Sequence, residues 1–519
     1  MSINRVRSPS GRRKAKVVNQ GYGSHGASTR KKSLEGWYSA SGSVLEDIEK
    51  NIPKLRERSR DLFMGAPLAT GAIKAIRTSV IGTGLKLNTQ IDYEFLGMTL
   101  EEADAWETKV EREFDLWADS VHCDAQRMNN FYELQQLAFI SWLMSGDCFV
   151  LLPIIPRTNM PYDVRIQILE ADRICSPVTQ FSEKIVNGVE IGKYGEVVAY
   201  HIAQKHPHSA ILNKQDFKRI LKFGKTTGRP NIIHLMESER PEQRRGVPIL
   251  APVIESLKQL ARYSEAELMA AVVSGMYTVF IKSANPEDTQ VGQSSSGDHL
   301  ESDYDEGSYE LGNGAIVALA ENESIETSNP GRPNTAFDGF VTSICRQIGA
   351  ALELPYEVLL KHFTSSYSAS RGALLEAWKM YRMRRAWMAN DFCQPIYEEF
   401  IAEGVAKGRI EAPGFFDDPI IKKAYCGAEW NGPSQGQLDP LKEVNAAAKR
   451  IDEGLSTRTQ ETVEFGNGDF FRNHSLRVVE ESLRREGGVI SNDQKQYPQP
   501  TQQNPNGKDD DDSDEKDDK

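Results

Sequence analysis

The sequence has little of what marks a secreted, metal-binding or membrane-spanning protein. Six cysteines in 519 residues (Cys123, Cys148, Cys175, Cys345, Cys393 and Cys426) are far apart and never form a CxxC pair. Neither a disulfide framework nor a thiolate metal site is written into that spacing, and a reducing compartment is the simplest reading. No apolar secretory region follows Met1. The longest apolar run, LMAAVVSGMYTVFI at 268–281, has 14 residues broken by Gly275. A membrane-spanning helix needs about 20, so insertion into a membrane is not expected.

Catalytic motifs are missing too. FGKTTG at 223–228 resembles half of a phosphate loop, but Arg219 stands where the first glycine is needed. Without that turn the backbone amides cannot cradle phosphates. His206 and His208, with His201 nearby, lack a Cys or carboxylate cluster at ligand spacing. There is no G-x-S-x-G elbow and no H-E-x-x-H. No cofactor or metal is expected, and an enzyme is the lesser reading.

Charge of one sign is absent from two stretches, although the whole chain carries 62 basic and 74 acidic residues, a net −12. Residues 1–32 have Arg5, Arg7, Arg12, Arg13, Lys14, Lys16, Arg30, Lys31 and Lys32 and no acid. With so few apolar residues this end is expected to be disordered and to favour polyanions. A plain disordered end, an anchor for a protein partner and a nucleic-acid contact all stay open for it. The excursion ANPEDTQVGQSSSGDHLESDYDEGSYELGN has no Lys or Arg and reads as exposed loop. The Gln/Asn/Pro spacer and Asp-rich block at 493–519 read as an extended, solubilising tail.

What is present is enough for roughly three structural units. Ser43 with Glu46, and Thr99 with Glu102, have capping-box spacing. Helices are expected near 44–64, 67–81, 99–118 and 130–145, with Pro53 splitting the first and Gly82, Gly84 and Gly146 ending two others. The runs CFVLLPII, VRIQILE, GEVVAYHI and NIIHLM predict a mostly antiparallel sheet region that ends near 236. A long helix from Pro252 to Gly275 follows, then strands YTVFIKS and GAIVALA on either side of the acidic excursion. Phe337, Phe340, Val341, Ile344, Ile348 and Leu352 have helical spacing up to Pro355. A second long helix is expected over about 370–403, and short ones near 440–453 and 475–485.

That second long helix is preceded by a hydroxyl-rich loop, Thr364, Ser365, Ser366, Tyr367 and Ser368. At about 100° per residue, Arg371, Lys379, Arg382 and Arg385 share one side while Arg384 points elsewhere. Leu374, Trp378, Tyr381, Met388 and Phe392 form an apolar stripe beside them. Such a face supplies sequence-independent attraction to phosphates. The bland alternative is a solvated basic face balanced by acids on neighbouring elements. Lys258 and Arg262, four apart on the earlier helix, either look outward or pair with Glu255 and Glu265, and the spacing favours the pairs.

The order of parts resembles the lambda-type portal family of tailed double-stranded DNA phages. The resemblance spans about 40–485 and rests on GAPLATGAIKAIRTSVIGTGLKLN, FYELQQLAFISWLMSGDCFVLLP, IQILEADRI, IIHLMESERPEQRRGVPILAPVIESLKQLARY and ALELPYEVLLKHFTSSYSASRGALLEAW. It implies an α+β portal-protein fold with long stem helices, a β-containing clip, an α/β wing and a helical crown, assembled as a ring. The implied divisions are a basic tail 1–40, wing 41–249, first stem helix 250–276, and clip with its acidic loop 277–334. They continue with a second stem helix and connection 335–362, tunnel loop 363–370, tunnel or wing helix 371–403, C-terminal wing and crown 404–490, and acidic tail 491–519.

The function implied is a dodecameric channel at one capsid vertex of the virion, assembled in the host cytoplasm, through which DNA is packaged and ejected without hydrolysis by the ring itself. The implied partners are further copies of the chain, non-specific double-stranded DNA, the terminase large subunit, major capsid and scaffold proteins, and head-completion or adaptor proteins. Thr364 to Ser368 would form the tunnel loop, with Arg371, Lys379, Arg382 and Arg385, and in the stem Lys258 and Arg262, as channel cations. Asp298, Glu301, Asp303, Asp305 and Glu306 of the clip would repel DNA from the rim or meet a basic partner. Two other readings remain: a nucleic-acid-processing enzyme with an unrecognised site, and a connector component that does not line the DNA path.

Overall fold

A computed structural model of the chain describes residues 27–28, 31–37, 39–177, 184–207, 216–275, 279–283, 323–327, 337–363, 366–435, 440–466 and 470–487. The segment 1–26, the acidic excursion with Asp298, Glu301, Asp303, Asp305 and Glu306, the strand expected at 314–320, His208, Thr364, Ser365 and the tail from 488 lie outside the described residues.

Local rules set the first helices. The Ser43 N–H donates to Glu46 Oε2 at 3.2 Å and the Glu46 N–H to Ser43 Oγ at 3.4 Å, which starts a π-type turn over Leu45–Glu49. Pro53 then falls in the first turn of α1 (Ile52–Gly65), where its missing N–H costs nothing. The expected split is there. Helix α2 (Pro67–Val80) buries Ala69, Ala72, Ile73, Ile76 and Val80, one stripe at helical spacing. Gly82 and Gly84 have positive φ and lead into β1 (Lys86–Thr89), which pairs antiparallel with distant Ala428–Asn431.

After α3 (Tyr93–Leu96), capping boxes start α4 (Leu100–Ala118) at Thr99–Glu102 and α5 (Phe131–Ser145) at Asn130–Glu133. Asn serves the second box in place of Ser or Thr. Gly146 closes α5 at φ +88°, and a Cβ there would lie 2.3 Å from the Gly246 carbonyl oxygen. Both handedness and close backbone approach require glycine.

Two antiparallel sheets follow, one ordered β3-β2-β8 and one β4-β5-β6-β7. Their strands are β2 (Asp147–Leu151), β3 (Gln167–Leu169), β4 (Ile185–Val186), β5 (Val189–Ile191), β6 (Val197–Ala203), β7 (Phe217–Leu221) and β8 (Ile232–Met236). Strands β2, β3, β6 and β8 lie in the four apolar runs. The β4–β5 hairpin and β7 were not legible, one for its brevity and the other because Lys218 and Arg219 interrupt its apolar residues. The FGKTTG loop joins β7 to β8 and turns in on itself: the Gly224 N–H donates to the Arg229 carbonyl at 2.8 Å. Arg219 clamps Glu190 through Nε and Nη2.

A short 3₁₀ turn carrying Pro252 opens α6 (Ile254–Gly275), and β9 (Val279–Ser283) pairs antiparallel with β10 (Glu323–Thr327) before α7 (Phe337–Ala351). Tyr263 of α6 stacks on Phe337 and meets Phe340 edge-on, which joins the two helices. After α8 (Tyr356–Leu360), α9 (Tyr367–Met388) passes through a π-type turn at Ala389–Cys393 into α10 (Gln394–Ala406). The chain ends its described part with α11 (Pro419–Tyr425), β11 (Ala428–Asn431), α12 (Pro440–Asp452), α13 (Arg458–Gly466) and α14 (Phe470–Glu486). Helix α13 was not expected.

The main core draws on both ends of the sequence. Ile73 and Ile76 of α2, Phe114 of α4, Phe131 and Phe139 of α5 and Met388, Phe392, Ile396, Tyr397 and Phe400 belong to one cluster. Phe114 meets Phe131, Tyr397, Phe400 and Trp430 edge-on at 5.2 to 5.9 Å. A smaller core of Phe149, Leu169, Val189, Tyr200, Ile202 and Ile232 lies between the two sheets. Mixed helix and antiparallel sheet make this an α+β fold.

Candidate nucleic-acid interface

Helix α9 carries six of the candidate residues, and two of them, Tyr367 and Ser368, form its first turn instead of the expected loop. Ser366 takes the N-cap position in an extended conformation, and its Oγ lies 3.3 Å from that of Ser368. The apolar stripe fixes the rotation of the helix: Tyr381, Met388 and Phe392 are buried in the main core and Leu374 and Trp378 lie half-buried beside them. Arg371, Lys379 and Arg382 are thereby left exposed.

Each exposed cation has an acid within reach. Arg371 Nη2 is 3.7 Å from Glu443 of α12, Arg382 Nη2 is 3.3 Å from Glu464 of α13, and Lys379 Nζ is 2.6 Å from Glu376 one turn earlier. These are single contacts between groups that are exposed except for the half-buried Glu443, worth about 0–1 kcal/mol each.

Arg385 departs from the expectation of an open channel cation. It is half-buried and donates from Nε to the Val80 carbonyl at 3.1 Å, and from Nη2 to those of Ser79 and Pro433 at 3.0 and 2.8 Å. Its guanidinium lies 5.2 Å from the Trp378 ring centre. Burial pulls its pKa down to about 10, with Arg382 adding to the effect. Arg385 therefore caps the carbonyl end of α2 and fastens α9 to it. Arg384 does point elsewhere: it is buried, with Glu237 and Glu353 at 3.8 and 4.0 Å.

Between α9 and α12–α13 lies a cavity of about 1120 Å³ lined by Arg371, Arg382, Arg385, Glu429, Glu443 and Arg450, among others. Arg450 grips Glu461 with Nε and Nη2 at 2.7 and 2.6 Å. Both signs of charge therefore face the cavity. The acids opposite α9 were missed in the sequence because the contacts cross about eighty positions, and no local spacing encodes them.

The intrahelical pairs favoured for Lys258 and Arg262 do not form. Both cations are exposed, and Glu255 instead accepts from the Gln259 side chain at 3.1 Å. His201 is buried in β6 against Glu190 at 3.1 Å, and His206 faces Asp172 at 3.3 Å. Among the described residues no cluster of three or more His, Cys, Asp or Glu could hold a metal, and no helix is long and apolar enough to cross a membrane.

The family model for phage portal proteins of the lambda family matches residues 30–385. The chain belongs to that family. Portal protein B of Escherichia phage lambda is 23% identical over 475 residues, covering 88% of both chains. The portal protein of Escherichia phage N15 is 23% identical over 478 residues, covering 88% of this chain and 89% of its own. A solved chain from the neck of the native GTA particle, computed with C12 symmetry, has a TM-score of 0.43 and 13% identity, over 80% of this chain and 92% of its own. This chain is thus a portal protein of the head-tail connector of tailed phages.

Proposed function

We propose that this portal protein assembles as a dodecameric ring at one capsid vertex and conducts double-stranded DNA during packaging and ejection, with the terminase docking on it. The observation that carries the reading is the lambda-family match together with α9: a hydroxyl loop leading into exposed Arg371, Lys379 and Arg382. Residues 364–368, the last two of which open α9, and these three cations are assigned to the moving duplex, Arg385 holds the helix from behind, and Lys258 and Arg262 add charge in the stem. Loose surface pairs such as Arg371–Glu443 exchange for phosphate at little cost, which suits a surface that touches DNA without retaining it.

A single chain also leaves apolar surface uncovered. Leu268, Met269 and Val272 of α6 and Phe340 of α7 are exposed, as neighbouring copies in a ring would require. The segment 277–334 is assigned to the clip, whose acids Asp298, Glu301, Asp303, Asp305 and Glu306 meet a basic partner.

Native mass spectrometry with electron microscopy of the purified chain tests the ring. About twelve copies around a central hole is the expected result, and a monomer that stays monomeric with scaffold and coat proteins present would refute it. Deleting 364–368 tests the loop: rings should form while packaged DNA falls, and full packaging would remove the loop from the mechanism.

A further inference from the structure

One cavity is lined by buried side-chain nitrogens that have no hydrogen-bond partner among the described residues. It has a volume of about 160 Å³ and lies between α4, the Val121–Cys123 turn, the segment 160–165 and Arg409. Ten buried side-chain nitrogen and oxygen atoms lack a hydrogen-bond partner among the described residues. Four of them belong to residues lining this cavity: Arg165 Nε and Nη2, Trp117 Nε1 and His122 Nδ1. Arg165 is only 1% exposed. A guanidinium so deeply buried is costly unless its charge and its N–H groups are met.

Among the described residues no carboxylate bonds to it, and Asp163 and Glu403 act on it only through space. Glu113, on the cavity wall, accepts from Arg409 with both oxygens and from the Tyr162 hydroxyl at 2.6 Å. Asp163 and Glu403 are both taken by Lys407, at 2.8 and 2.7 Å. Arg157 adds charge nearby and donates to the carbonyls of His122, Asp124 and Ala125.

The open edge of Arg165 is the one this protein uses elsewhere to grip carboxylates. Arg219, Arg409 and Arg450 each hold a glutamate through Nε and Nη2. Arg165 spends Nη1 on the Val164 carbonyl at 2.9 Å and keeps Nε and Nη2 free. Two parallel N–H groups in that fork match a carboxylate or a phosphate. We infer that this cavity is a binding site for one compact oxyanion, a carboxylate or a phosphate, held bidentately by Arg165 with Trp117 and His122 beside it. The site is separate from the α9 face and does not depend on its role.

Isothermal titration of the full chain with inorganic phosphate, at ionic strength held constant with chloride, tests this. Saturable binding near one per chain, weakened at least tenfold in Arg165→Met of unchanged circular dichroism, is expected. Displacement of phosphate by acetate would assign the site to a carboxylate, and resistance to acetate would assign it to a phosphate. Absence of saturable binding to the wild type, or equal binding by Arg165→Met, overturns the inference. Should Arg165→Met fail to fold, His122→Ala decides: weakened binding supports the site and unchanged binding overturns it.

Discussion

Replacing Asp147 by Asn should destabilise the fold more than any surface change. Asp147 is fully buried at the start of β2, where Arg56 of α1 donates from Nη2 at 3.1 Å and Arg245 from Nε at 2.5 Å. Asn keeps the shape, removes the charge and turns one of the two accepting oxygens into an N–H donor. Arg56 retains Asp172 at 2.8 Å, but Arg245 is left with the carbonyls of Ala171, Ile174 and Asn187 and no carboxylate bonded to it, Glu49 acting only through space. Breaking a buried pair from one side costs about 3–5 kcal/mol. For a cooperative unit of about 200 residues that is a fall on the order of 10 °C in Tm. Scanning calorimetry and urea unfolding of the purified chain provide the measurement.

The same experiment has a pH arm. Burial raises the Asp147 carboxyl, but Arg245 and Arg56 outweigh burial and hold it well below the usual carboxylate range. A depressed pKa gives stability that is complete above the unfolded value of about 3.9 and is lost as pH falls through the folded one. The gap between wild type and Asp147→Asn should stay constant from neutral pH to about 4 and shrink below it. A loss under about 1 kcal/mol at pH 7 would refute the reasoning, because it would mean that the two guanidinium groups need no carboxylate.

Other outcomes are as specific. Phe114→Ala, at the centre of the aromatic cluster, should cost about 3–5 kcal/mol in urea unfolding. Gly97→Ala, at φ +69° with open space around it, should cost about 1 kcal/mol, whereas Gly146→Ala should cost clearly more because its Cβ meets the Gly246 backbone. Maleimide labelling of the native chain at pH 7.5, read by peptide mass spectrometry, should reach Cys175 alone: the other five thiols are buried, and burial pushes Cys123 and Cys426 up to about 12. Arg371→Gln with Arg382→Gln should change stability by less than about 1 kcal/mol per site while lowering packaged DNA per particle.

Much of the helical framework was legible because its signals are local. A Thr99–Glu102 box, a proline at 53 and a glycine at 146 act within one helical turn of themselves, so reading along the chain finds them. The α9 stripe was legible for the same reason: a period of about 3.6 residues states which side packs and which faces water. Strand β7 was not, since Lys218 and Arg219 mask its alternation and its partner β6 supplies the pairing.

The sequence by itself determined the family, the two long helices on either side of an acidic excursion, and the exposure of Arg371, Lys379 and Arg382. Only the tertiary structure decided what those charges meet. It set β1 beside β11 across more than three hundred residues, turned Arg385 onto the carbonyls ending α2, and brought Glu443 and Glu464 opposite the basic face. It likewise left Lys258 and Arg262 without the glutamates three positions away, and Arg165 with its fork open. The physical reason is range. Capping and periodicity are settled by neighbours one turn apart, whereas the partner of a charged side chain is whatever the packed core carries to within about 4 Å, and no spacing along the chain encodes that.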